Sequence, residues 1–169
     1  MGLFSFIKDA GAKVFGVGKT EATEKAAEKT AASEKTAAAA LKTEEIAARK
    51  IEETIKDLTL DVEDLKVLID DDMATVTGKA HDQSTKEKVV LVIGNTKGIA
   101  AVDDQMSVTH AEPEAQFHTV VKGETLGKIA KKYYGNAMKY PLIFDANKPM
   151  LTDPDKIYPG QVLRIPSLE

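Results

Sequence analysis

Two small α+β modules in tandem are the architecture this sequence predicts: a βααβ unit at the C-terminal end and, ahead of it, an αββαβ unit preceded by an N-terminal helix. Three observations predict it. Apolar and polar residues alternate between residues 65 and 77 and again from Phe117 to Val121, which is the period of a half-buried strand. Around those stretches the apolar spacing changes to that of an amphipathic helix. A tract over residues 19–40 holds only Ala, Glu, Lys, Thr and Ser, so it has no large apolar side chain with which to bury a face.

Residues 1–16 place Leu3, Phe4, Ile7, Ala10, Val14 and Phe15 on one helical stripe, interrupted by Gly11. The expectation is a short helix docked on the next module. Its polar face carries too little positive charge for a lipid surface. Residues 17–40 read as a solvated, partly helical spacer, in which the repeated EKTAA at Glu28 and Glu34 is drift rather than a motif.

Residues 41–110 form the first module. Leu41, Ile46, Ala47, Ile51, Ile55 and Leu58 recur at helical spacing. Leu65, Val67 and Ile69 start a hairpin that turns at Asp70-Asp71-Asp72, returns through Ala74 and Val76 and ends at Gly78. Ser84 is the expected cap of a helix burying Val89, Val90, Val92 and Ile93. Gly94-Asn95-Thr96-Lys97-Gly98 ends it, and Ile99 to Val108 supplies a third strand. That order fits a small layered fold.

Residues 111–116 are a linker, and 117–168 are the second module. Its first strand turns at Lys122-Gly123, and Thr125 caps a helix with Leu126, Ile129, Ala130 and Tyr133 inward. Gly135-Asn136 stops that helix. A second helix directs Leu142, Ile143 and Ala146 inward and stops at Asn147-Lys148-Pro149. Tyr158-Pro159-Gly160 turns into a closing strand of Val162, Leu163 and Ile165.

Composition removes several classes of function. A net charge of -4 without a basic face argues against nucleic acid. The chain has no cysteine, so disulfides and thiolate metal sites are out. The opening apolar run is too short for a secretory signal, and no stretch approaches the roughly 20 apolar residues of a membrane span. Phe6 stands where a myristoylation signal needs Ser or Thr. A cytoplasmic monomer is expected. His81, His110 and His118 lack metal-ligand spacing and are expected on the surface. Asp70-Asp71-Asp72 lacks the rest of a calcium loop, and Asp103-Asp104 is expected to cap or blunt an edge strand. Ser84, Ser107 and Ser167 have no nucleophile-elbow setting. Nothing reads as an enzyme.

Three resemblances sharpen this. TVVKGETLGKIA, IFDANK and IYPGQVLRIP match, in order and spacing, the pattern of LysM domains. That resemblance implies binding of N-acetylglucosamine polymers, with Gly123, Glu124, Thr125, Leu126, Ile157 and Tyr158 on the glycan face. The segments MATVTGKAHDQSTKEKVV and VIGNTKGIAAVDDQMSV resemble a BON domain, a class that binds phospholipid or serves in envelope stress. Together with MGLFSFIKDAG, the whole arrangement is similar to a family of bacterial cytoplasmic potassium-binding proteins.

The last resemblance implies potassium as the ligand and raises the question of what would hold it. Large monovalent cations suit several neutral backbone oxygens better than a carboxylate cluster. The last carbonyls of a helix lack internal partners and sit at its negative end. Two glycine-marked helix ends offer them, giving Ile7, Ala10 and Ala12 from one and Gly94, Thr96 and Ile99 from the other. Read from the residues alone, both are equally ordinary glycine C-caps; the resemblance is what favours ligands. Two functions of different class stand open: a potassium sensor or buffer with ion-dependent docking of the LysM module, and a glycan-binding or envelope-stress adaptor.

Overall fold

A computed structural model describes residues 2–5 and 31–168 of the chain. The first module combines strands β1 (Gly2–Ser5), β2 (Val62–Asp70), β3 (Met73–Asp82), β4 (Ala101–Asp104) and β5 (Ser107–His110) with helices α1 (Ala31–Asp57) and α2 (Gln83–Gly94). The second consists of β6 (Gln116–Thr119), α3 (Leu126–Tyr134), a 3₁₀ turn at Ala137–Lys139, α4 (Tyr140–Ala146) and β7 (Val162–Ile165). Both are α+β.

The first sheet runs β1-β4-β3-β2, with β5 also paired to β3. β2 and β3 are antiparallel, joined at the expected aspartate turn, where Asp70 faces Met73 and Asp71 has φ 55°. β4 and β5 both run parallel to β3, one at each end of it. Ile55, Val76, Val89, Val90, Ile93 and Val102 are fully buried between helices and sheet. Each such side chain contributes about 1.5–3 kcal/mol by leaving water.

Several expectations are corrected. Residues 2–5 are a strand, not the start of a helix, and pair antiparallel with β4. A helix of this length, broken by glycine, has little stability alone, whereas the strand completes hydrogen bonds along β4. Residues 6–16, including Ile7, Ala10 and Ala12, lie outside the described residues. Helix α1 starts at Ala31, within the tract expected to be spacer, because a run rich in Ala, Glu and Lys extends a helix already fixed by Ile51 and Ile55.

Gly78 does not end the hairpin: it lies inside β3 at φ 142°, opposite an irregularity in β2. A Cβ there would meet Val62 Cγ1 at 2.8 Å, so the bulge needs glycine. Asp82, not Ser84, caps α2, its Oδ1 accepting from the Thr85 amide at 2.7 Å. The single strand expected over 99–108 is two, broken at Gln105-Met106. Asp104 is not on an edge, since β4 lies between β1 and β3. It is buried, ion-paired with Lys86 at 3.1 Å, and accepts from the Met106 amide.

The second module follows its predicted caps. Thr125 accepts from Lys128 N, and Gly135 closes α3 in the left-handed region at φ 70°. Its core is Val120, Leu126, Ile129, Ala130, Ile143, Leu151, Leu163 and Ile165. Leu142, expected inward, is exposed. His118, expected on the surface, is buried between Tyr133 and Glu124. His81 and His110 lie on the surface with rings 5.0 Å apart, since the parallel register sets His110 beside Asp82.

Candidate functional site

Helix α2 is the axis on which both modules meet. Its Val-rich run buries one side in the first module. Val90 and Ile93 are buried on it, and so, unusually, are Gln83 and Glu87. The Glu87 carboxylate accepts from Gln83 Nε2 and from the Ala115 amide, both at 2.9 Å, and from Arg164 Nε on β7. A buried carboxylate is tolerated when several donors surround it. Here they come from α2 itself, the linker and the second module. The Arg164 guanidinium also bears on Lys88: desolvation, with that neighbouring charge, holds the Lys88 ammonium below its ordinary range.

At its far end α2 passes into the glycine-bounded stretch Gly94 to Ile99. Asn95 N–H donates to the Leu91 carbonyl, Thr96 N–H to Ile93, and the Thr96 hydroxyl to Val92. The Ile99 amide returns to the Thr96 carbonyl at 3.2 Å, which leaves that oxygen a second lone pair. Gly94 is buried, and among the described residues no donor is paired with its carbonyl. An oxygen of this kind, at the negative end of a helix, is suited to a cation. Gly98, at φ 95°, bends the chain with open space around it, and Ile99 is buried in the core. The structure therefore groups Gly94, Thr96 and Ile99 in one turn.

The register of β1 bears on the other three candidates. Ser5 lies opposite Ala101, so the chain leaving β1 starts beside the exit of the 94–99 turn. Phe4 packs edge-to-face on Phe117 of β6 at 5.2 Å. The two rings border a cavity of about 140 Å³ that is also lined by Lys86, Glu87, Asp104 and Glu114. No group of three or more His, Cys, Asp or Glu among the described residues is placed to hold a metal ion. No helix among them is long and apolar enough to cross a membrane.

Asn95 has a second role that its sequence did not signal. Its side chain reaches β7 of the second module: Nδ2 donates to the Val162 carbonyl at 3.0 Å, and the Val162 amide donates back to Oδ1 at 2.9 Å. The Met150 sulfur lies 3.5 Å from the same Asn95 Nδ2, and its side chain packs on both hydrophobic cores. Glu87 did have a signal. It falls on the buried stripe with Val90 and Gly94, where a carboxylate needs partners.

The glycan-face candidates gather at another end of the second module. Val120 pairs its amide with the Gln161 carbonyl and its carbonyl with the Gly160 amide, which brings the turns 122–125 and 157–160 together. Gly123 and Thr125 are exposed, Glu124, Ile157 and Tyr158 partly so, and Leu126 is in the core. Burial raises the Tyr158 hydroxyl above its ordinary range. Desolvation pushes the Glu124 carboxyl upward, but the Val121 amide and His118 outweigh it and hold the group below its usual range.

Comparison with known proteins identifies both modules. A BON domain model matches residues 42–110, and a LysM domain model matches residues 118–166. The potassium binding protein Kbp of Escherichia coli O6:H1 is 42% identical over 98% of this chain and 99% of its own length. An uncharacterized protein of Deinococcus radiodurans is 49% identical over 49 residues, 29% of this chain and 19% of that protein. Esterase Rv1288 of Mycobacterium tuberculosis is 45% identical over 53 residues, but these are only 11% of that protein.

Proposed function

This chain belongs to the family of the potassium binding protein Kbp, and we propose that it binds potassium itself, as a cytoplasmic sensor or buffer whose LysM module docks in response to the ion. The relative aligns across both modules, so the likeness is to the whole arrangement rather than to a shared domain. We assign the ion to backbone carbonyls of Gly94, Thr96 and Ile99 together with those of Ile7, Ala10 and Ala12. Potassium favours such oxygens because they replace its water without the strong field of a carboxylate cluster.

One observation supports this reading: the β1–β4 register sets Ser5, the last described residue before Ile7, opposite Ala101, two residues past the 94–99 turn. The carbonyl of Gly94, with no donor paired to it among the described residues, supports it from the α2 side.

The test is a titration of the intact protein with potassium and sodium chlorides at matched ionic strength, read by calorimetry and thermal melting. A ligand present at about a hundredfold excess over its Kd adds roughly 2.7 kcal/mol of stability. Potassium should give that increase and a binding isotherm, and sodium much less. Equal responses to the two salts would reduce the effect to screening and overturn the reading.

A second reading, glycan binding by the LysM module, is favoured by the adjacency of its two loops through Val120. Soluble chitin oligomers in the same melting series test it directly. A shift with oligomer, abolished by Tyr158→Ala, would establish it alongside or in place of the ion.

A further inference from the structure

We propose that Asn95 is the positioning residue that couples the 94–99 turn to the docked LysM module, so that ion binding and docking reinforce each other. This rests on the potassium reading above and names the device by which that site is regulated.

The argument is covalent geometry first. The Gly94 carbonyl and the Asn95 N–H belong to one planar peptide unit, and the Asn95 carbonyl shares the next with the Thr96 N–H. The direction in which the Gly94 oxygen points is therefore tied to the placement of the Asn95 Cα. The Asn95 side chain is held at both of its polar ends by Val162, at 3.0 and 2.9 Å. These two bonds mimic the pairing of a neighbouring strand, so they tolerate little displacement of that Cα. An arrangement of the turn that suits the ion and one that suits β7 are thus one backbone state.

Surrounding contacts reinforce this. Met150, 3.5 Å from Asn95 Nδ2 through its sulfur, is packed against both cores. β1, paired with the β4 strand that follows the turn, sets Phe4 edge-to-face on Phe117 of β6. The end of α2 and strand β1 therefore both touch the second module directly. Linkage is reciprocal: if potassium favours the docked state by some factor, docking favours potassium by the same factor.

The chain lacks cysteine, so Lys56→Cys and Lys131→Cys, both at exposed positions, can carry a donor and an acceptor dye. Calorimetry then reads potassium affinity, and energy transfer reads docking. In the Asn95→Ala protein we expect affinity at least about fivefold weaker and loss of the potassium-dependent rise in energy transfer. Met150→Ala, which alters no atom of the turn, should weaken affinity in the same direction by a smaller factor. A merely structural Asn95 would lower the melting temperature without changing either potassium response. Circular dichroism establishes that each variant is folded, and Asn95→Asp, which keeps the acceptor and loses the donor, replaces Asn95→Ala if the latter unfolds. A folded variant with wild-type affinity and wild-type energy-transfer response would overturn the coupling. A wild-type protein that takes up no potassium would instead overturn the potassium reading, and the coupling with it.

Discussion

Two asparagines close the same edge of β7, and they do it from different modules. Asn147, at the end of α4, donates to the carbonyls of Ile143 and Arg164 and accepts from the Arg164 amide, all within the LysM module. Asn95, at the end of α2, makes the same pair of bonds to Val162 from the BON module. Both cover a strand edge that would otherwise offer unpaired groups. Asn147 is 1% exposed and fixes a fold, whereas Asn95 is half-buried and fixes an interface. One chemistry thus serves two purposes, and the difference lies in what stands behind each residue: a short helix in the first case, the candidate ion turn in the second.

Substitutions can break or sharpen that contrast. The largest effect belongs to Arg164, whose guanidinium joins the two modules. Arg164→Ala leaves the Glu87 carboxylate buried without its charged partner, a change worth about 3–5 kcal/mol. Urea unfolding of the whole protein should register it, together with undocking. Asn147→Ala comes next, at about 1–3 kcal/mol, because the buried Arg164 amide is left without its partner. Its effect should appear in the melting of the protein with little change in potassium affinity, whereas Asn95→Ala should weaken that affinity.

The smallest effect is in acid. The Glu124 carboxyl is held below its ordinary value of 4.5 in the folded protein. A depressed folded value means that the unfolded chain binds the proton more readily. Its stabilisation is therefore present above the ordinary value and lost as pH falls through the folded one. Stability measured against pH should show that loss in the wild type, and Glu124→Gln should flatten it. An unchanged profile in the variant would assign the acid response to other carboxylates.

How far the sequence revealed this contrast depends on the range of the interactions. The LysM module was legible because its signals are local: Thr125 caps its own helix, Gly135 ends it, and the strand alternation lies within a few residues. The α2 run was legible for the same reason. What escaped depended on partners far along the chain. Leu3 and Phe4 suit a helical stripe as well as a strand, and only pairing with Val102 and Asp103 decides between them. His118 reads as a surface residue because Tyr133 and Glu124 become its partners only when the module closes. Gly78 was taken for a terminator because a bulge and a turn call for the same residue. Among the proposed ion ligands, Gly94, Thr96 and Ile99 stand out by the glycines around them and by family resemblance. Nothing local set Asn95 apart from an ordinary helix cap, since its partner Val162 lies 67 residues away.

Amide hydrogen exchange at two positions on β7 tests the coupling most directly. The Val162 amide is held by Asn95 and the Arg164 amide by Asn147. Potassium, compared with sodium at equal ionic strength, should slow exchange at Val162 by a clearly larger factor than at Arg164, because only the first bond originates in the proposed ion turn. Equal exchange at Val162 in the two salts, in a protein that calorimetry shows to have bound potassium, would contradict it.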